Sequence, residues 1–297
     1  MSTINSQLPT INSQLPTPNF PRYLAAKKTV DDRALNGRVW QQLAQAVLAL
    51  DGPHILEVGA GIGTMVERWQ ERGLWPVGSY TAVDAQPENI RIAAERLAPL
   101  AKETPLTLTA VDIFDFIAQH NGRQTWDVLL AHAFLDLVDA PTALPGLFSL
   151  LRPGGLFYFT LNFDGATILQ PTIDAAFDAH VEALYHRTMD ERLVNGRPSG
   201  DSQTGRHLFH HLRRAGAQIL AAGSSDWVVY GGPQGYPADE AYFLHFIVHT
   251  LHEALRGHPQ LDQDTFNAWI THRHAQIESG ELIYIAHQLD FLGQLPV

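Results

Sequence analysis

Cysteine is absent from this chain of 297 residues. Its absence excludes disulfide bonds, thiolate zinc sites and a cysteine nucleophile, and it is typical of proteins in a reducing compartment. Net positive charge is lacking as well, because 20 Lys and Arg residues stand against 31 Asp and Glu residues, a formal charge of −11. Nucleic-acid-binding proteins usually carry a basic patch or stripe, so we expect no nucleic-acid partner.

Long apolar runs are also lacking. The longest are of strand length, well short of the roughly 20 residues that a membrane span needs. The amino terminus shows neither the basic start nor the continuous apolar stretch of a signal peptide. We therefore expect a cytoplasmic protein without a membrane partner, and its hydrophobic content of 45% is enough for a sizeable core.

A short tandem repeat occupies the amino terminus, where residues 3–9 recur as residues 10–16. The segment is polar and contains prolines, so it cannot bury enough apolar surface to offset the entropy of ordering it. We predict a disordered tail over residues 1–19 and a single domain over residues 20–297. Within this domain we expect an amino-terminal cap and helix (20–50, the helix beginning at Thr29), a cofactor-binding core (51–163), and helical insertions with the last strands (164–297).

Strand and helix patterns alternate through the core. The predicted strands are His54–Val58, Ser79–Asp84, Leu106–Asp112, Trp126–Ala131 and Leu156–Leu161, and helical patterns lie between them. Strands that alternate with helices predict parallel βαβ units. The fold class is therefore α/β: a doubly wound, Rossmann-like, mostly parallel sheet of seven strands. Helical insertions after the fifth strand and between the last two strands are expected to form a lid.

The most informative motif is the segment Glu57-Val58-Gly59-Ala60-Gly61-Ile62-Gly63, which ends the first strand and opens a helix. Glycine permits a tight turn and lets backbone approach a ligand closely. The dinucleotide fingerprint G-x-G-x-x-G would need its third glycine at Thr64. In addition, Glu57 would place a carboxylate near a pyrophosphate. A cationic ligand fits the motif better.

This motif resembles E-x-G-x-G-x-G, the first motif of the class I S-adenosylmethionine-dependent methyltransferases. The similarity runs from about residue 50 to residue 162 and includes Asp84, Asp112-Ile113, Trp126–His132 and the turn Leu151–Gly155. It implies S-adenosylmethionine as cofactor and S-adenosylhomocysteine as product, with the ribose hydroxyls held by Asp84 and the adenine contacted after the third strand. The implied cofactor-binding residues are Glu57, Gly59, Gly61, Gly63, Asp84, Asp112, Ile113 and Ala131. As alternatives, Asp84 could be a helix cap and Asp112 a solvated loop acid.

Two residues are candidates for catalysis because they follow strands at the edge where a doubly wound sheet binds its ligand. His132 follows the fourth strand and could act as a base or position the acceptor; it could equally line the pocket without chemistry. Asn162 follows the fifth strand and could orient the substrate. A base is needed only if the attacking atom carries a proton that must leave.

Six further residues are candidates for substrate binding. Tyr23, Lys27 and Arg33 belong to a segment that could fold over the cofactor, the alternative being a solvated entry helix. Arg206 could bind an acidic group, although its segment also reads as a capped helix start. Tyr242 and His245 lie on a polar face of the predicted helix Asp239–Arg256. That helix lacks H-E-x-x-H, so no metal is predicted there.

The sequence thus predicts transfer of a methyl group from S-adenosylmethionine to a small or medium organic acceptor. Two alternatives stay open. A nicotinamide-dependent oxidoreductase on a similar sheet is disfavoured by Glu57 and by the glycine spacing. A non-catalytic cofactor-binding protein is not excluded by any residue.

Overall fold

The computed structural model describes residues 17–75, 77–194 and 196–297, so most of the predicted tail lies outside the described residues. The helices are α1 (Phe20–Ala34), α2 (Gly37–Leu48), α3 (Thr64–Glu71), α4 (Pro87–Leu97), α5 (Ile113–His120), α6 (Ala140–Phe148), α7 (Ala175–Asp190), α8 (Thr204–Arg214), α9 (Glu240–Leu255) and α10 (Gln263–Glu278). The strands are β1 (His54–Val58), β2 (Ser79–Asp84), β3 (Leu106–Ala110), β4 (Trp126–His132), β5 (Leu151–Gln170), β6 (Leu193–Val194), β7 (Arg197–Pro198), β8 (Gln218–Ser224), β9 (Trp227–Val229) and β10 (Ile283–Gln294).

One mostly parallel sheet organises the chain. Its strand order is β3-β2-β1-β4-β5-β10-β8, and the neighbours from β3 to β5 are parallel. β10 is antiparallel to β5 and β8. The predicted doubly wound α/β fold is therefore confirmed, with eight strands rather than seven because the short β9 also pairs with β10. Among the described residues, no helix is long and apolar enough to cross a membrane.

The carboxyl ends of the parallel strands meet at one edge, which we call the carboxyl edge and define by Val58, Asp84, Ala110 and His132. Val58 of β1 is in register with Ala131 of β4, and His132 is in register with Thr160 of β5. The segments that follow β1, β2 and β4 therefore start side by side.

β5 is much longer than the predicted Leu156–Leu161. Leu161 has a positive φ of 54°, and beyond it the strand continues to Gln170, paired along β10 from Leu289 to Ile283. This extension projects past the carboxyl edge and gives the insertions a surface to pack on. α7, α9, β9 and β10 bury a shared apolar cluster there, which includes Phe243, Leu251 and Tyr284. The insertions follow β5 and precede β10, where the sequence placed them.

The predicted single helix from Thr29 to Leu50 is wrong, because the structure has two helices. α1 begins nine residues earlier, where the Asn19 side chain accepts from the main-chain N–H of Arg22 and Pro21 occupies the first turn. The break comes at Asn36, whose main-chain N–H donates to the carboxylate of Asp290 at 2.8 Å. Thr29 lies inside α1 and donates its hydroxyl to Glu240 of α9, so it is no cap.

The bend after β1 contains three glycines, Gly59, Gly61 and Gly63. The packing of the third of them against α4 can be tested by substitution. Gly63 has φ +82°, and a Cβ built there would lie 2.6 Å from Cδ1 of the buried Leu97 in α4. Gly73 has a similar φ of +77° but nothing within 4 Å of a built Cβ. Both Gly→Ala changes introduce backbone strain, and only Gly63→Ala adds overpacking, which typically costs about 1–3 kcal/mol more.

Urea unfolding of the two variants measures this difference directly. We expect Gly63→Ala to lower the free energy of unfolding by more than Gly73→Ala does. Equal losses of unfolding free energy would mean that α4 can shift without cost. Gly63 would then be required only for its backbone conformation.

Candidate active site

The glycine bend after β1 lies at the carboxyl edge and is covered by two side chains. Gly59 and Gly61 have φ values of +65° and +56°, which favour glycine. A Cβ at Gly59 would lie 2.5 Å from the ring of Phe134, and one at Gly61 would lie 3.1 Å from Leu24. The bend thus brings its backbone close to α1 and to the loop after β4. Gly63 packs against Leu97 of α4, and its contact with the cofactor stays a prediction.

Asp84, which ends β2, shapes the bend. Its Oδ2 accepts from the main-chain N–H of Gly61 at 2.8 Å. Its Oδ1 accepts from the N–H of Gln86 and from Asn89. A carboxylate oxygen can accept two hydrogen bonds, and the half-buried Oδ2 has one, so it can still receive a ligand hydroxyl. The cap residue of α4 is Gln86, which argues against the cap alternative for Asp84.

Asp112 and Ile113 join β3 to α5. Asp112 is the cap of that helix, because its Oδ1 accepts from the N–H of Phe114 at 2.8 Å. The Asp112 residue is exposed, whereas Ile113 is buried. Asp112 is therefore the cap of α5 and is also solvated.

Glu57 does not present the negative charge that the sequence argument assigned to it. Its side chain is buried beside α3 and accepts a hydrogen bond from the Tyr80 hydroxyl at 2.7 Å. Burial, only partly offset by that bond and by the charge of Arg68, raises the pKa of Glu57 to about 8. At neutral pH the group is largely protonated, so it cannot attract a cationic ligand as a full carboxylate would.

His132 is enclosed at the end of β4, with a side chain that is 7% exposed. Its Nδ1 lies 2.7 Å from the Thr160 hydroxyl, and its Nε2 lies 3.0 Å from Asp31 Oδ2 and 3.2 Å from Arg68 Nη1. The carboxylate favours the proton on Nε2, which leaves Nδ1 to accept from Thr160. Both ring nitrogens are thus engaged by protein groups.

Asp31 is the centre of this arrangement, which we call the Asp31 network (Lys27, Asp31, Arg68, His132, Thr160 and Trp227). Its carboxylate accepts from Lys27 at 2.7 Å, from the Trp227 indole at 2.9 Å and from Arg68 at 3.3 Å. Asp31, Lys27 and Arg68 are all buried. The network therefore joins α1 to α3, β4 and β9 at the carboxyl edge.

The charges in the network shift its pKa values. Burial raises the pKa of Asp31, but the charge of Lys27, the hydrogen bond with His132 and the charge of Arg68 outweigh it and hold that pKa well below its ordinary range. Burial and then the charge of Arg68 lower the pKa of His132 to about 4, against the attraction of Asp31. His132 is consequently a neutral imidazole at neutral pH.

The structure brings Tyr23 and Lys27 to this site. Tyr23 lies one helical turn before Lys27, and its ring stacks on Phe246 and Phe243 with centroids 4.2 and 5.6 Å apart. Lys27 is buried and paired with Asp31, and Tyr23 packs on α9, so both side chains contact protein rather than open solvent. Their contact with a cofactor or substrate stays a prediction.

Three other predicted substrate residues are bound to protein groups. Arg33 is half-exposed and pairs with the buried Glu240 at 2.5 Å. Arg206 donates its Nε to Asp164 at 2.8 Å, and Asp164 also accepts from its main-chain N–H, so the helix-start alternative describes it better. The Tyr242 hydroxyl accepts from the main-chain N–H of Asn19, which fixes the start of α1.

The remaining two candidates, His245 and Asn162, each contact a neighbouring secondary-structure element. His245 of α9 faces His274 of α10, with their Nδ1 atoms 2.8 Å apart; this face meets a helix rather than open solvent. Among the described residues, no group of three or more His, Asp or Glu could hold a metal ion. Asn162 is buried and donates to the carbonyl of Leu289 on β10 at 2.8 Å, so it links two strands.

The sequence analysis did not identify Asp31, Arg68, Thr160 or Trp227 as residues of the site. The spacing of Lys27 and Asp31 indicates an i,i+4 pair, but such pairs usually face solvent. No local signal shows that this pair is buried, because its partners are 37 to 196 residues away.

Comparisons with known proteins bear on the core of the chain. A family model described as a methyltransferase domain matches residues 56–157. No curated protein sequence gives a significant match. Three solved structures illustrate the likeness. Cyclopropane synthase MmaA2 from Mycobacterium tuberculosis has 11% identity over 85% of this chain and 82% of its own, with a TM-score of 0.46. Mycolic acid cyclopropane synthase CmaA1, in complex with SAH and CTAB, has 12% identity over 85% and 82%, with a TM-score of 0.48.

The third is the 4+2 cyclase SpnF, with 16% identity over 96% of this chain and 100% of its own and a TM-score of 0.45. Identities and scores this low leave the assignment to the sequence match, which runs from β1 to β5 and includes the glycine bend. On that match, residues 56–157 are a methyltransferase domain, which supports methyl transfer from S-adenosylmethionine.

Proposed function

We propose that this enzyme methylates a small or medium organic acceptor held beneath α1, and that the cofactor lies on the glycine bend. The observation that carries this proposal is the cover over the bend: Leu24 and Phe134 lie against its glycines, and the Asp31 network holds α1 in place. An acceptor must therefore meet the methyl group in an enclosed space, which suits a small molecule. The net charge of −11 argues against a nucleic acid. A cytoplasmic location stays a prediction.

The residues at the carboxyl edge suit the parts of the cofactor. Asp84 keeps an acceptor position for a ribose hydroxyl, and a carboxylate makes strong hydrogen bonds there. Gly59 and Gly61 let the backbone come close to the methionyl part, while Ile113 and Ala131 offer apolar contacts and Asp112 a fixed acid beside the adenine. Bound S-adenosylmethionine supplies a methyl group already activated on a sulfonium. The protein's task is to align the acceptor and exclude water.

His132 is best described as a positioning residue. A base must offer a free nitrogen to the acceptor's proton, and both nitrogens of His132 are occupied by Thr160 and Asp31. The neutral imidazole instead connects the end of β4 to α1. We propose that it keeps α1 closed over the bend during methyl transfer.

Binding of S-adenosylhomocysteine tests the cofactor assignment. We expect calorimetric heat with S-adenosylhomocysteine and none with NAD. Asp84→Asn keeps the shape of the side chain but removes its charge, so it should weaken binding by about 1.5–3 kcal/mol, the usual scale for a hydrogen bond to a charged group.

The matched control is Asp115→Asn, an exposed acid on α5 that lies in its first turn. Its affinity should equal that of the wild type. Binding of NAD with no response to S-adenosylhomocysteine would reverse the proposal, and an unchanged affinity in Asp84→Asn would remove Asp84 from the site.

The depressed pKa of His132 predicts a pH dependence of stability. An unfolded histidine titrates near 6.5, whereas folded His132 has a pKa of about 4. Between these values the unfolded state binds more protons, so stability falls as the pH drops from about 6.5 to about 4. Relative to His132→Gln, the wild type should lose on the order of 2 kcal/mol more across that interval.

Urea unfolding at several pH values measures this difference. His210→Gln replaces an exposed histidine on α8 and should leave the wild-type profile intact. Parallel profiles for the wild type and His132→Gln would show that His132 is not held neutral by the network.

A further inference from the structure

A cavity of about 210 Å³ lies among the insertions, bounded by the end of β5, by α7 and by α9 and α10. Its first lining residue on β5 is Thr167, seven residues beyond Thr160, which is in register with His132. At about 3.3 Å per residue, the strand carries the cavity on the order of 20 Å past the carboxyl edge. The cavity is therefore separate from the candidate active site.

Arg273 of α10 lines this cavity and is fully buried. Its Nη1 donates to the carbonyl of Pro171 at 2.7 Å and to Gln276 Oε1 at 2.9 Å. Its Nε and Nη2 form no hydrogen bond with any residue that the structure describes. Burying a charged group without hydrogen bonds is costly. Unpaired donors at a cavity wall therefore indicate that a ligand supplies the acceptor.

Asp178 of α7 lies beside these donors but does not satisfy them. Its Oδ2 is 2.9 Å from Arg273 Nη2, close enough for an ion pair, yet no hydrogen bond forms there. Both oxygens have other donors: Oδ1 accepts from the Trp269 indole at 2.6 Å, and Oδ2 accepts from the N–H of Ile173 at 3.0 Å. Arg273 Cζ also lies 4.8 Å from the Trp269 ring centroid. The guanidinium is thus fixed and its charge is balanced, while its Nε–Nη2 edge is left for a bidentate contact with a carboxylate.

A second acid, Glu182, lines the cavity one helical turn after Asp178. Its Oε1 accepts from the N–H of Thr167 at 3.2 Å, and its Oε2 has no donor among the described residues. Side chains four residues apart on a helix are neighbours, with about 5–6 Å between their Cβ atoms. Because Asp178 already balances Arg273, the charge of Glu182 repels a plain anion and attracts an ammonium group.

The rest of the lining is largely apolar. It includes Ile168, Ala175, Ala179, Val181 and Leu251. At roughly 30 Å³ for each water molecule, the cavity has the volume of about seven waters. It is smaller than a typical pocket for a drug-sized ligand, so it suits a molecule with a short aliphatic side chain.

We propose that this cavity binds a free α-amino acid with a short aliphatic side chain. The ligand's carboxylate accepts from Arg273 Nε and Nη2, and its ammonium group donates to Glu182 Oε2. Its side chain lies against Val181 and Leu251. A single carbon atom joins the two charged groups of an α-amino acid, which matches the short span between neighbouring side chains of this lining. This site is independent of the proposed cofactor site.

Titration calorimetry with L-valine, 3-methylbutanoate and 2-methylpropylamine tests the site. The second and third compounds are L-valine without its ammonium group and without its carboxylate. We expect L-valine to bind at one site per chain. Each analogue should bind at least tenfold more weakly, because it loses a charge-assisted contact.

Two variants separate the charged contacts. E182Q keeps an oxygen for the N–H of Thr167 but removes the negative charge, so it should weaken L-valine binding tenfold or more and leave 3-methylbutanoate binding no weaker. R273K keeps a cation beside Asp178 but lacks the Nε–Nη2 edge, so it should weaken both. Arg273 is buried, so circular dichroism must show that R273K is folded; E182Q changes a half-buried residue and tests the site without R273K.

The control for E182Q is E191Q, which changes an exposed acid at the end of α7. E191Q should bind L-valine as the wild type does, and so should D84N, because Asp84 belongs to the proposed cofactor site. Four results would overturn the proposal: no binding of L-valine, wild-type affinity for L-valine in both E182Q and folded R273K, equal affinities of the wild type for L-valine and 3-methylbutanoate, and weaker binding of L-valine by D84N.

Discussion

The buried carboxylate of Asp31 is the interaction on which the candidate site depends. It is bound by a lysine of its own helix, an arginine of α3, a histidine of β4 and the indole of β9. Taking these charges out of water is costly, and the cost is offset only when every partner is present. Removing one partner leaves a buried charge uncompensated. The network therefore sets the position of α1, and with it the position of Leu24 against Gly61 of the glycine bend.

Three buried carboxyl groups near the carboxyl edge show how surroundings set protonation. Asp31 is fully paired, and its pKa is held well below the ordinary range. Glu57 has one neutral donor, Tyr80, and burial raises its pKa to about 8. Asp136, in the short 3-10 helix Leu135–Leu137 after β4, has an oxygen without a partner among the described residues and an intermediate pKa of about 6. Carboxyl groups with three different pKa values thus lie along one edge of the sheet, a separation that is typical of enzymes.

Local patterns predicted the elements that depend on local signals. β1 and β2 lie at the expected residues, because strand-length apolar runs are short-range features. The glycine bend could also be predicted from the sequence, because its positive φ values favour glycine.

Long-range contacts determine the features of the fold and of the site that could not be predicted from the sequence. β5 extends to Gln170 only because β10, more than a hundred residues later, pairs along it. α1 and α2 separate at Asn36 because Asp290 accepts its N–H. The same limit applies to the site: His132 was found from its place after a strand, but its partners Asp31 and Arg68 come from other elements. Nothing in the sequence near Arg273 shows that its guanidinium is buried and only partly hydrogen-bonded.

The position of Lys27 affects how the proposed cofactor can enter and leave the glycine bend, which side chains cover. Leu24 and Phe134 lie against Gly61 and Gly59, so a cofactor can reach the bend only if α1 or the loop after β4 moves. When α1 moves, Asp31 loses Arg68, His132 and Trp227 but keeps Lys27, which is four residues away on the same helix. The carboxylate then enters water with a partner still beside it, and Arg68 remains near Thr64 of its own helix. Opening therefore separates groups that are each solvated afterwards, whereas replacing one of them would leave a charge buried and unpaired. The network can thus be costly to mutate and still be reversible in a catalytic cycle.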